Sequence, residues 1–177
     1  MDSKCEECLI QSLTYNPSHF DSILNLISLK IDQSKGDEAI QLLQSQALPL
    51  LSPSSSISSS TPTSSSSFSS PPISYHSKIQ IAKLLVECST QESSLADSGL
   101  EVIQQLLEED DENIELWYLG GVACLSTTPP DATTSVEYLA KAYEMFEANR
   151  EYCVENEMEF ENQSEMDLVV SHLEMAN

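Results

Sequence analysis

Cys5-x2-Cys8, close to the start of the chain, is a spacing at which two thiolates can share a metal ion or close a redox disulfide. A zinc site needs further ligands, and no second Cys or His pair follows at suitable spacing. Both residues fall on an apolar helical stripe with Leu9, Ser12 and Leu13, so they are expected to be buried core thiols. The five acids Glu108, Glu109, Asp110, Asp111 and Glu112 form a second chemically loaded stretch. They lack the alternating ligands and central glycine of a calcium loop, so no metal is expected there. Their plainest role is a solvated turn placing acids near the N-terminus of the next helix, where its dipole favours them, and they are also candidates for contacting a basic segment. His19, His76 and His172 are isolated, with no nucleophile-and-base arrangement around them. Gly120 and Gly121 sit inside the apolar run "IELWYLGGVACL", directly after the only tryptophan, Trp117. A phosphate-binding loop is untenable there, because the flanking residues are acidic and neither a P-loop lysine nor a strand is present. No catalytic residue, metal or cofactor is expected.

The charge of the chain narrows its partners. Seven Lys and Arg against 29 Asp and Glu give a formal net charge of −22. Residues 87–177 hold 22 of the acids and only Lys141 and Arg150 as cations, a net −20. Such a field repels nucleic acid and anionic membrane surfaces and attracts cationic partners. No apolar run approaches the ~20 residues that span a bilayer. The start "MDSKCEECLIQSL" lacks the basic region and cleavage site of a secretory signal. Five scattered cysteines give no disulfide framework. A reducing compartment is expected, cytoplasm and nucleus.

The elements that hold these residues read as helices. Residues 52–72, "SPSSSISSSTPTSSSSFSSPP", are serine- and proline-rich and uncharged, and predict a disordered insertion. Before it, apolar residues recur at helical spacing in "CEECLIQSLTYN", stopped by Pro17, then through Phe20, Ile23, Leu24, Ile27 and Ile31, and in "EAIQLLQSQALPLL" after a Gly36-Asp37 turn. After it, helices are predicted over roughly 73–88, 96–109 and 114–125, with a further one beyond Pro129-Pro130 and a short closing helix in "SEMDLVVSHLEM". No stretch has the alternation of a strand, so the fold is predicted all-α. The organisation expected is N-terminal helices at 1–51, the insertion at 52–72, C-terminal helices at 73–160 and an acidic tail at 161–177.

A period underlies these helices. Cys5-x3-Leu9 recurs 34 residues later as Ala39-x3-Leu43, and Gly99-x3-Ile103 recurs 36 residues later as Ser135-x3-Leu139. Each places a small residue where paired helices cross, with a larger apolar residue one turn on. With Trp117, Gly121 and Pro17 in their characteristic places, the chain resembles the tetratricopeptide repeat family, although Gly120 stands where leucine is usual, Cys124 replaces the tyrosine and Glu147 falls near the expected proline. That resemblance implies a right-handed solenoid of antiparallel helix pairs. The block "EEDDENIELWYLGGVACL" followed by "SVEYLAKAYEMFEAN" is further similar to the eukaryotic dedicated assembly chaperones of universal large-subunit ribosomal protein four. This resemblance covers residues 73–177 well and 1–51 more loosely. It implies a non-enzymatic, monomeric chaperone that captures a newly made basic ribosomal protein. The client's exit-tunnel loop would be shielded until large-subunit assembly, with no direct contact to nucleic acid or membrane.

Partner-facing positions follow from placing the first helix of each pair on the concave face. On the Trp117 helix these are Glu115, Tyr118, Val122 and Leu125; on the Phe20 helix they are Asp21, Leu24, Ser28 and Asp32. The apolar ones are expected to pack between helices. The candidate partner-binding set is therefore Asp21, Asp32, Glu108, Glu109, Asp110, Asp111, Glu112, Glu115 and Tyr118. The alternative is a general repeat scaffold or co-chaperone that clamps C-terminal carboxylates, a role for which the deduced positions contain no lysine or arginine.

Overall fold

The computed structural model describes residues 2–51 and 73–176, all-helical with no strand among them. The expected disordered insertion at 52–72 lies outside the described residues. The chain divides into two compact units, Met1–Ser77 and Lys78–Asn177.

In the first unit α1 (Asp2–Tyr15) packs on α2 (Phe20–Asp32), and α2 packs on α3 (Gly36–Leu42). His19 caps α2, its Nδ1 accepting the Ser22 amide at 3.2 Å, which gives that histidine a structural duty. Phe20, Ile23, Leu24 and Ile27 of α2 are buried, as are Ala39, Leu43 and Ala47. After α3 the helix widens into a π-helical turn, Leu43–Ala47, before α4 (Leu48–Leu51). Pro49 explains the widening: in a regular helix its ring would collide with the carbonyl four residues back, and a wider turn relieves that clash.

Two expectations fail in this unit. Cys5 and Cys8 are exposed. Leu9, Ser12 and Leu13 of the expected stripe are half-buried, Glu6 joins them in place of the thiols, and Glu6 and Ser12 find partners on α2. The Ser12 and Ser22 hydroxyls hydrogen-bond at 3.0 Å, and the ammonium of Lys30, itself buried, meets Glu6 at 2.6 Å and Glu38 at 2.5 Å. The Gly36-Asp37 turn is also displaced, because Gly36 begins α3. The reversal falls at Ser34, with φ 59°, where the Ser34 amide donates to the Ile31 carbonyl and the Lys35 amide to the Lys30 carbonyl. That pair of bonds is the Schellman ending of α2, usually given to glycine.

The second unit runs through consecutive helices: the part of α5 (Tyr75–Ser89) from Lys78 on, α6 (Ser94–Glu109), α7 (Ile114–Ser126), α8 (Ala132–Glu155) and α9 (Gln163–Ala176). Packing is sequential, α6 on α7, α7 on α8 and α8 on α9. Four residues join α6 to α7, a length that returns the chain alongside the helix it has left. Asn113 and Asp131 cap α7 and α8 through their side-chain oxygens. α8 ends as α2 does, with Glu157 at φ 56° and the Met158 amide donating to the Cys153 carbonyl.

The glycines explain how closely α7 and α8 meet. A Cβ on Gly121 would lie 2.5 Å from Leu139 Cγ and 3.3 Å from the Ser135 carbonyl oxygen. The Ser135 hydroxyl, fully buried, donates to the Gly121 carbonyl at 2.8 Å. A Cβ on Gly120 would meet the Tyr138 ring at 2.6 Å. Both residues are therefore flat because α8 leaves no room, and the helix runs through them unbroken. Leu139, Ala142 and Phe146 of α8 form one core with Met166 and Val169 of α9. Burying the two α9 side chains contributes about 1.5–3 kcal/mol each.

Candidate functional site

The acidic turn between α6 and α7 is built by specific bonds. Glu108 and Glu109 close α6, and the Asp110 carboxylate accepts the Glu112 amide at 3.1 Å. Trp117, half-buried against the α8–α9 core, reaches back from α7 and donates its indole N–H to the Asp111 carbonyl at 2.8 Å. Its ring lies 5.5 Å from that of Tyr138. The tryptophan thus anchors the core and fixes the backbone of the acidic turn together. Glu108, Glu109, Asp110, Asp111 and Glu112 are all exposed, at the positive end of the α7 dipole.

Two of the predicted acids are engaged within the unit. Glu109 pairs with Lys78 at 2.5 Å and Glu115 with Lys83 at 2.7 Å, both partners lying on α5. Tyr118 is half-buried, and its ring meets His172 of α9 edge-on at 5.5 Å. Burial pushes the Tyr118 hydroxyl above its ordinary range, so it stays protonated and able to donate. The Lys83–Glu115 and Tyr118–His172 contacts link α5 to α7 and α7 to α9. The last link was the hardest to see in the sequence, because the acids of "ENEMEFENQSEMD" obscure the Met166, Val169 and Leu173 spacing that seats α9.

Asp21 and Asp32 belong to the first unit, at opposite ends of α2 and roughly 16 Å apart along its axis. Both are exposed, and Asp21 accepts the Ser77 hydroxyl at 2.7 Å. Leu24 is buried in the core, while Ser28, Val122 and Leu125 are half-buried.

An open groove of about 450 Å³ lies along α6, α7 and α8, lined by Asp97, Leu100, Gln104, Cys124, Asp131 and Tyr138 among others. Its thiol is a poor nucleophile, since burial first and Asp131 second push Cys124 up to about 11. Asp131 is occupied as the α8 cap, and the Thr134 hydroxyl and amide hold its carboxyl below the ordinary value. Among the described residues no three His, Cys, Asp or Glu side chains converge as a metal site, and no helix is long and apolar enough to cross a membrane.

The cations of residues 78–177 are all in ion pairs within the unit: Lys78 and Lys83 as above, Lys141 with Glu144, and Arg150 with Glu147. Twenty-two acids against these four cations leave the stretch at −18.

No family model matches the chain. Over 161 residues it is 29% identical to a protein of Emericella nidulans described as a probable assembly chaperone of rpl4. The match covers 85% of this chain and 37% of the relative, so the chain spans little more than a third of that protein's length.

Proposed function

We propose that the chain is a non-enzymatic acidic chaperone, or a segment of one, that binds a newly made basic protein of the large ribosomal subunit, protects it and delivers it for assembly. The observation that carries this is the charge of residues 78–177, whose every cation is already paired while −18 remains for a partner. A solenoid surface of that sign attracts a basic segment at high association rates and competes with RNA for it. The name of the Emericella nidulans relative supports the client class, with rpl4 as the first candidate. The exit-tunnel loop of that client is the segment proposed to be shielded.

The arrangement proposed is a right-handed, tetratricopeptide-like solenoid. The contacts that tie α5 to α7 and α7 to α9 support it, as they fit first helices of successive pairs lying side by side. The acidic turn, with Glu115 and Tyr118, is the proposed contact surface in this unit, and Asp21 and Asp32 in the other. Action as a monomer in cytoplasm and nucleus belongs to the same proposal. A carboxylate-clamping scaffold would need available lysines or arginines, and the four cations of residues 78–177 are committed to acids.

The test is affinity capture of the tagged full chain from cells at moderate salt. One basic large-subunit ribosomal protein should dominate the captured material, and recovery of heat-shock chaperones in its place would sink the proposal.

A further inference from the structure

α9 has two faces. Met166 and Val169 point into the core with the half-buried Leu173, which fixes the helix on α8. On the other side Leu168 is 51% exposed and Met175 71% exposed. Seven residues apart, they stand on one line two turns long, roughly 10 Å, with Ser171 and His172 between them. Helical spacing sets Asp167 and Glu174 along one border of this line and Glu165 along the other. α9 contains no lysine or arginine. The line also continues onto α7, because His172 meets the Tyr118 ring edge-on while its Nδ1 lies 2.9 Å from the Leu168 carbonyl oxygen.

An apolar line of this length edged by acids on both sides complements one kind of partner. A second helix laid alongside it can set apolar side chains at i and i+7 against Leu168 and Met175 while its own flanks meet the carboxylates. Those flanks must be cationic. A second copy of this chain would bring another −22, and an anionic lipid surface repels the same field. We infer that the outer face of α9, centred on Leu168 and Met175 and continued by His172 and Tyr118, docks a cationic amphipathic helix of the client. This rests on the cationic partner proposed above and adds that the partner is recognised by an apolar register as well as by charge.

The test uses the full chain and two synthetic peptides of identical lysine and leucine composition. One carries leucines at i, i+3, i+4 and i+7, and the other is scrambled to destroy that line. Binding is followed through Trp117, which lies one residue from Tyr118, with calorimetry as a check. The patterned peptide should bind about tenfold tighter, the order expected for partly covering two exposed apolar side chains. The Leu168→Ser/Met175→Ser variant should erase that preference while its affinity for the scrambled peptide stays unchanged. Both positions are exposed, and an unaltered unfolding midpoint verifies that the variant folds. If wild type binds both peptides alike, or the variant keeps the preference, the α9 face is not the dock, although the cationic partner stands. If neither peptide binds, both proposals fall. A dimer in sedimentation that the double substitution dissolves would assign the face to a second copy and overturn the inference.

Discussion

Replacing Gly121 by alanine separates close helix packing from simple helix preference. In an isolated helix the change would stabilise by about 0.8–1.0 kcal/mol. Here the new Cβ would lie 2.5 Å and 2.7 Å from two carbons of Leu139, well inside ordinary contact. Leu139 is fully buried among Ala142, Phe146, Met166 and Val169, so it can give way only by shifting against that core. Overpacking of this kind costs about 1–3 kcal/mol. Separating α7 from α8 also stretches the Ser135–Gly121 hydrogen bond, which contributes about 0.5–1.5 kcal/mol. After subtracting the helix-preference gain, the net destabilisation is about 0.5–3.5 kcal/mol. Gly99 supplies the control. Its Cβ would meet Leu85 Cβ at 3.4 Å and Val86 Cγ2 at 3.5 Å, ordinary contacts, so Gly99→Ala should be neutral or stabilise by up to about 1 kcal/mol. Urea unfolding followed by Trp117 fluorescence reads both variants on one scale. A Gly121→Ala protein as stable as wild type would refute the packing account.

Three further outcomes are expected. Lys30 holds the carboxyls of Glu6 and Glu38 below the usual 4.5, chiefly by hydrogen bonds, and its own pKa is raised by the same two partners. The carboxylates stabilise the fold above their unfolded value, and that contribution disappears as pH falls through their lowered folded values. The urea midpoint of the first unit should therefore drop below about pH 4.5, and Lys30→Met should flatten that limb; an unchanged acid limb would count against the Lys30 cluster. A thiol reagent near pH 8 should modify Cys5 and Cys8 quickly in the folded protein. It should spare Cys88 and Cys124, which burial pushes to about 11, and their labelling at the same rate would contradict the packing described. Trp117→Phe keeps a ring against Tyr138 but loses the bond to the Asp111 carbonyl, so stability should fall by about 0.5–1.5 kcal/mol and amide exchange should quicken across residues 110–113.

The helices were legible where burial is apolar and periodic. Residues 96–109 and 114–125 differ from α6 and α7 by two residues at most, because Leu95, Val102, Ile103 and Leu106, then Leu116, Leu119 and Ala123, repeat at helical spacing and are all buried. The small residues Ala39, Gly99 and Ser135 are buried as their recurrence predicts, while Cys5, the fourth of that set, is not. What failed was polar. Glu6 turns inward because Lys30 receives it, and pairing over 24 residues leaves no periodic mark. Ser34 and Glu157 take the left-handed backbone usually given to glycine, so the ends of α2 and α8 carry no glycine signal. The acidic turn was visible as composition. Its pinning by Trp117 and the pairing of Glu109 and Glu115 with lysines of α5 depend on three-dimensional neighbours.

The central claim is that surface charge selects a basic ribosomal client. It is tested most directly by titrating the full chain with the purified large-subunit ribosomal protein proposed as client, across about 50–200 mM salt, in the presence of competing RNA. Saturable 1:1 binding should weaken at least tenfold over that range and should keep the client soluble when RNA is added. Absence of binding, or an affinity indifferent to salt, would contradict it.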